Sequence, residues 1–391
     1  MIRSQTNIER CQKCIMPGTR PGTVIEDGIC NGCRSFYSRN EIDWEVRAQK
    51  WRDLVHYCNA EADSRSSLWS CVIPVSGGKD SVYQVIRAVE SGLRPLCVNL
   101  APLIRTPIGE RNLDLIKKLG VDVMEITENR HHRAIFSKIG LSMEGKINWP
   151  EHVLTITAPL HVAANFSVPL VLYGENPENE YGGTDRDASM EGFDQSWFNR
   201  NSGIGGLSLE EMVRKSGIDS RQCRVYEFPG EESLSRTKVA YLGAFEPWDS
   251  YRNALIVQAH GFEVSPTVCQ GSLVNYENLD NPFYGIHDFI KYAKFGFGRA
   301  TDQACLSIRR GRLDRPTALD LVSKLEGRFP EFYLGVSIHD VLTSIGMTME
   351  EFESVMFEFT NQRLFMVDKE KKTVVFDDSG FLVWKSENPF Q

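Results

Sequence analysis

"CVIPVSGGKDSVYQV", residues 71–85, is the stretch from which the rest of the chain can be read. Cys71 to Val75 is short, apolar and rich in β-branched residues, which suits a buried strand. Ser76, Gly77 and Gly78 end it abruptly, and Val82, Val85, Ile86 and Val89 then recur at helical spacing. Glycines carry no Cβ, so the backbone can take positive φ and come close to a ligand. A strand, a glycine turn and a helix N-terminus form an anion site, because free N–H groups and the helix dipole point into it. Lys79 adds a positive charge, and Asp80 and Ser81 can cap the helix or reach a metal ion. The chemistry this predicts is polyphosphate with Mg²⁺. It is not a Walker A loop, because position 73, where that motif needs its first glycine, is Ile.

Downstream, strand and helix patterns alternate. Strands are expected at 71–75, 95–100, 121–126 and 168–173, with helices at 81–91, 110–119 and about 152–166. Such alternation predicts an α/β fold with a doubly wound parallel sheet and ligands at the carboxyl ends of the strands. Residues 99–112 follow the second strand, so Asn99, Arg105, Thr106 and Asn112 are expected beside an adenine or ribose. After the fourth strand, "YGENPENEYGGTD" (173–185) crowds Glu175, Glu178, Glu180 and Asp185 onto a glycine-rich turn. Carboxylates there can hold Mg²⁺ or orient a nucleophile; a solvated acidic loop is the plain alternative. Residues 186–236 are polar and read as an insertion or lid. Residues 241–262 are expected to hold another strand and then a helix, with Trp248 and Asp249 at the junction.

Upstream, Cys11, Cys14, Cys30 and Cys33 form two C-x₂-C pairs separated by fifteen residues, among turn-forming glycines and prolines. Two such knuckles can give four thiolates to one tetrahedral Zn²⁺ and close its coordination sphere, which makes the metal structural. Redox-active thiols or an iron–sulfur cluster are the other readings. The remaining cysteines lie in apolar surroundings and read as core. Trp44, Ala48, Trp51, Val55 and Cys58 fall on one helical stripe that leads from the ribbon to the main domain.

From Lys291 to Arg315 there are seven basic residues and two acidic ones, in a chain whose net charge is −8. Phosphate contacts, a solvated basic face and nucleic-acid binding are all compatible with that pattern. Helical stripes follow at 316–327, 338–346 and 349–359, and 374–376 with 381–384 reads as a closing hairpin. The 391 residues are 41% hydrophobic and 25% charged, ordinary for a globular protein, and point to two or three domains. No apolar run approaches the roughly 20 residues of a membrane span, and no secretory signal is visible. A cytoplasmic location, no membrane insertion and no nucleic-acid partner are therefore expected. The domain expectation is a zinc ribbon at 1–42, a linking helix at 43–66, the α/β domain at 67–312 and a mainly helical region with a terminal hairpin at 313–391.

"SGGKDS" resembles the PP-loop of the ATP pyrophosphatase superfamily. Together with "CQKCIMPGTRPG", "DGICNGC", "GENPENEYGG" and "GIHDFIKYAKFGFGRATDQACLSIRRGR", it resembles the N-acetyl sugar amidotransferases of surface-polysaccharide and flagellar-glycan pathways. The resemblance implies ATP-dependent conversion of a sugar acetamido group to an acetamidino group through an O-adenylyl imidate. It implies that Ser76, Gly77, Gly78 and Ser81 cradle pyrophosphate, Lys79 neutralises it and Asp80 holds Mg²⁺. It further implies that Glu175 and Asn176 orient the acceptor amide, while Arg299, Asp302, Arg309 and Arg310 face phosphates. Position 2 is Ile and no G-x-C-x-G elbow occurs, so ammonia is expected from a separate glutaminase, with a cyclase-like barrel subunit alongside. The alternatives are a tRNA-thiolating sulfurtransferase of the same superfamily and a non-catalytic ATP-binding scaffold.

Overall fold

The computed structural model describes residues 8–175, 196, 198 and 206–385. The chain opens with a two-stranded hairpin, β1 (Ile25–Glu26) and β2 (Ile29–Cys30), turned through Asp27 and Gly28 at φ 50° and 75°. Helices α1 (Asn31–Ser38) and α2 (Trp44–Ser64) follow. The Asp43 carboxylate starts α2 by accepting from the Glu45 and Val46 N–H groups, and Trp51, Val55, Cys58 and Ala62 are its buried stripe.

The centre is a five-stranded parallel sheet in the order β5-β4-β3-β6-β7. Its strands are β3 (Cys71–Val75), β4 (Pro95–Leu100), β5 (Asp122–Ile126), β6 (Leu170–Tyr173) and β7 (Lys238–Tyr241). Four match the expected segments. The fifth strand finishes at Tyr241, where one had been expected to begin, because Lys238–Tyr241 pairs residue for residue with β6. Helices α3 (Lys79–Glu90), α4 (Pro107–Lys118), α5 (Arg130–Glu144) and α6 (Trp149–Asn165) connect the strands. Winding runs outward from β3 through β4 to β5, then returns to β6 on the other side. The strand order therefore reverses between β3 and β6, where a crevice must open at the carboxyl ends.

Beyond the sheet lie α7 (Leu209–Ser216), α8 (Glu231–Leu234) and α9 (Ser250–Ala259). Then come α10 (Tyr284–Phe295), α11 (Arg299–Arg309), α12 (Arg315–Leu325), α13 (Ile338–Ser344) and α14 (Met349–Phe359). Near the end, Val367–Asp368 pairs with Thr373–Val374, while Phe376 bridges Leu382 and Phe365 bridges Trp384. The expected hairpin is thus one side of a small three-segment cap. A second apolar core joins α10, α13 and α14 with this cap. A third joins the four N-terminal cysteines to Phe297, to Ala300, Ala304 and Cys305 of α11 and to Ala318 and Val322 of α12. Among the described residues, no helix is long and apolar enough to cross a membrane.

Candidate active site

The crevice at the β3/β6 switch is a cleft of about 530 Å³. Ser76, Gly78, Lys79, Asp80 and Ser81 line it. Gly77 does not, and its glycine identity has a separate cause. It sits at φ 84°, and a Cβ there would lie 2.8 Å from the Gly109 carbonyl oxygen of α4. The turn closes on itself: the Ser76 hydroxyl accepts from Gly78 N–H at 3.1 Å, and the Ser81 hydroxyl donates to Gly78 O at 2.8 Å. Pro74, Val75, Val98, Leu100 and Pro102 give the cleft an apolar wall at the ends of β3 and β4.

Lys79 is the pivot of the charge arrangement. Its side chain is buried, with Nζ 2.6 Å from Asp80 Oδ2, 3.2 Å from Glu277 Oε1 and 5.7 Å from the Tyr276 ring centre. Burial alone would lower its pKa, but Asp80 and Glu277 outweigh burial and hold it above the ordinary lysine value. Glu277 is largely withdrawn from solvent, which favours its neutral form, yet Lys79 and Arg299 hold its carboxyl down at about 2. Ser250 Oγ (2.9 Å) and Gln303 Nε2 (2.7 Å) donate to the same carboxylate. Asp280 lines the cleft opposite Ser76, and burial pushes its carboxyl up to about 6.

Arg299, the first residue of α11, reaches the cleft while forking onto Asp288 at 3.2 and 3.0 Å. Across from it, the buried Arg133 pairs with Glu128 at 2.6 Å and Glu151 at 2.8 Å, and Glu151 also lines the cleft. Glu175 follows β6 and lines the cleft, within electrostatic reach of Lys79. Asn176, Glu178, Glu180, Asp185 and most of the expected insertion lie outside the described residues.

Seven expected ligand-side residues are used elsewhere. The Asn99 amide donates to Val75 O at 2.8 Å, tying β4 to β3. Thr106 caps α4: its hydroxyl accepts from Gly109 N–H at 3.1 Å and donates to Leu279 O. Its companion Arg105 pairs with Glu125 at 2.6 Å, and Asn112 exchanges two hydrogen bonds with the Glu263 backbone. Asp302 accepts from Lys291 and lies 3.6 Å from Arg20, so it joins the ribbon to α11. Arg309 points at sulfur: Nη2 is 3.7 Å from Cys30 Sγ and 3.9 Å from Cys14 Sγ. Arg310 donates to Trp248 O at 2.9 Å and pairs with Asp249 at 3.6 Å. The reason is common to the last three. One helix offers a different face every residue, and of α11 only Arg299 and Leu306 line the cleft.

Glu277, Asp280, Arg133, Glu151 and Tyr284 were not legible as site residues. Glu277 and Asp280 come from an irregular connection, "NYENLDNP", whose composition is that of any polar loop.

The four N-terminal cysteines converge. Their sulfurs all lie within 4.8 Å of one another and are buried. Sulfurs tetrahedrally placed about a metal at ~2.3 Å stand about 3.8 Å apart. The Cys11–Cys33 and Cys14–Cys30 separations are 3.9 and 3.7 Å. Backbone N–H groups of Cys30, Met16 and Cys33 point at Cys11, Cys14 and Cys30 sulfurs at 3.3–3.4 Å. The donor set fits a metal ion held by four thiolates.

Residues 270–376 match the family model described as "LPS biosynthesis protein WbpG-like, C-terminal domain". Over that segment, about a quarter of the chain, the sequence is similar to that domain. This segment contributes Glu277, Asp280, Tyr284 and Arg299 to the cleft and Arg309 to the thiol cluster, and it runs across the boundary expected at residue 312. The match agrees with the surface-polysaccharide setting that the resemblance implied. Among solved structures, the chain is similar to NMN synthetase from Francisella tularensis (14% identity, 69% of this chain and 94% of that one, TM-score 0.29). It is also similar to the NH3-dependent NAD synthetase from Campylobacter jejuni (11%, 48% and 99%, TM-score 0.28). A third is a predicted subunit of tRNA methyltransferase from Methanocaldococcus jannaschii (13%, 46% and 93%, TM-score 0.22). The parallel fold rests on the strand pairings above, not on these distant likenesses. No curated protein matches the sequence.

Proposed function

We propose that this chain is an ATP-dependent amidotransferase of surface-polysaccharide, lipopolysaccharide or flagellin-glycan biosynthesis that turns a sugar acetamido group into an acetamidino group. The observation that carries the reading is Lys79, buried between Asp80 and Glu277 at a glycine turn on the switch point of a parallel sheet. The WbpG-like segment supports the polysaccharide setting.

An amide carbon is a poor electrophile. The acetamido oxygen attacks the α-phosphorus of ATP, the α–β bridging P–O bond breaks and pyrophosphate leaves. Ammonia then attacks the imidate carbon, AMP departs with the former amide oxygen, and loss of a proton leaves the amidine. The protein contributes positioning and charge neutralisation. Ser76, Gly78 and Ser81 hold the leaving phosphates, Lys79 and Arg299 neutralise them, and Glu175 with Asn176 orients the acceptor amide. The apolar wall from Pro74 to Pro102 receives the adenine. Asp80 lines the cleft and gives the hard oxygen donor that Mg²⁺ prefers; when bound, the ion adds positive charge beside the phosphates. Zinc at the four thiolates is structural. A partner glutaminase supplies ammonia, and a cyclase-like barrel subunit accompanies it.

The test incubates the full chain with ATP, Mg²⁺, ammonium and N-acetylated nucleotide-sugars. Mass spectrometry should find one sugar oxygen replaced by NH, with AMP formed in equal amount. ADP formation, or turnover of glutamine by the chain alone, would refute the reading.

A further inference from the structure

The sequence placed Arg309 on a phosphate, whereas the structure buries it against sulfur, 3.7 Å from Cys30 and 3.9 Å from Cys14. Four thiolates on a divalent ion leave the centre with a net charge of about −2. That charge sits in an apolar surround of Ile15, Met16, Phe297, Ala300 and Ala304, where an uncompensated charge is costly. Arg309 is the guanidinium aimed at it from α11. Arg315, from α12, donates to the carbonyls of Cys14 and Cys11 at 3.0 and 3.4 Å, so the knuckle is held from two helices. Thr19 donates to Phe295 O at 2.5 Å, and Arg20 faces Asp302.

Two other side chains of α11 reach the cleft or a residue that lines it. Six residues before Arg309, about 9 Å along the helix, Gln303 donates to Glu277 Oε2 at 2.7 Å. Glu277 is the carboxylate that lies 3.2 Å from Lys79. At its first residue α11 presents Arg299 to the cleft. One helix therefore meets the thiolate centre at one end and, toward the other, the cleft through Arg299 and Lys79 by way of Gln303 and Glu277.

We propose that Arg309 is a positioning residue that locks the metal centre to α11, so that metal occupancy sets the geometry of the nucleotide cleft. This rests on the nucleotide reading of the cleft and on a metal at the four thiols. Arg309 touches neither nucleotide nor acceptor. It acts by balancing the thiolate charge and holding the helix that carries Gln303 and Arg299 in register with Lys79.

The full-length chain is loaded with zinc, and two quantities are measured separately. One is zinc loss to a competing chelator. The other is the affinity for α,β-methylene-ATP with Mg²⁺ by calorimetry. Arg309→Met should hold zinc about 10- to 100-fold more weakly, the usual cost of removing an outer-shell partner. Arg309→Lys, which restores the charge, should recover much of that loss. At saturating zinc, Arg309→Met should still bind the analogue about tenfold more weakly than the native chain, a coupling of ordinary size. Native protein stripped of zinc should show the same weakening, reversed on adding zinc back, with circular dichroism reporting the sheet. Zinc retention in Arg309→Met equal to that of the native chain overturns the proposal. So does unchanged analogue affinity in the zinc-saturated variant. A chain that takes up no zinc, or a zinc-loaded chain that never binds the analogue, removes the premise and overturns it too. The two separate readouts tell these failures apart.

Discussion

Replacing Glu277 by Gln removes one of the two carboxylates that face the buried Lys79 while keeping the side chain's shape and a hydrogen-bonding oxygen for Ser250. The native carboxyl is held at about 2 against an ordinary 4.5, because the attraction of Lys79 and Arg299 exceeds the penalty of burial. At roughly 1.4 kcal/mol per pH unit, that depression is worth about 3 kcal/mol of stability. The sign follows from the direction. A carboxyl depressed in the folded state stabilises fully above its unfolded pKa, and the stabilisation fades as pH falls through 4.5 toward 2. Glu277→Gln should therefore lose about 3 kcal/mol at pH 7 and only about 2 kcal/mol at pH 3.5. With an unfolding entropy of roughly 2.1 cal/mol/K per residue over 391 residues, the neutral-pH loss lowers the melting temperature by about 4 °C. Urea unfolding followed by circular dichroism, at steps between pH 7 and pH 3.5, gives both quantities. Equal midpoints at pH 7, or a gap that stays constant as the solution is acidified, would show that Glu277 is not the ionised partner of Lys79.

Lys79→Met should weaken binding of α,β-methylene-ATP about 10- to 100-fold, the range for losing a charge-assisted contact of roughly 1.5–3 kcal/mol. Calorimetry on the full chain checks this, and an unchanged affinity would remove Lys79 from the phosphate site. Gly77→Ala should cost about 1–3 kcal/mol, because φ is 84° and the new Cβ would meet Gly109 O at 2.8 Å. Gly92→Ala is the control: φ is 85° and nothing lies within 4 Å of its Cβ, so it isolates the backbone strain. A Gly77 loss no larger than the Gly92 loss in denaturant titration would mean that α4 yields to the new methyl.

The middle of the sheet could be read from the sequence because β3, β4 and β6 are buried on both faces. β3 and β4 expose almost nothing, so they appear as apolar runs, broken only by Asn99 in β4 and bounded by Gly, Ser and Pro. α14 matches the expected 349–359 because Thr348 and Glu351 form a capping box that marks its start. The four cysteines could also be read, since C-x₂-C spacing constrains a local knuckle whatever surrounds it. α5 was not foreseen, although Asn129 caps it and Gly145 ends it at φ 62°. Its first turn is "RHHR", a polar run that gives no apolar stripe until Ala134.

By itself, then, the sequence determined the parallel sheet, the glycine turn with Lys79 and Asp80, and the four-thiol knuckle. The strands and the turn depend on side chains a few residues apart, and the thiol site on two C-x₂-C pairs with fifteen residues between them. Only the tertiary structure decided who answers those charges. Glu277 lies almost two hundred positions from Lys79, and Arg309 nearly three hundred from Cys14, so no local pattern links them. Seven basic residues between 291 and 315 look alike in the sequence. What separates Arg299 from Arg309 is the direction each points from one helix, and packing alone fixes that: the first meets the cleft, the second the thiolates.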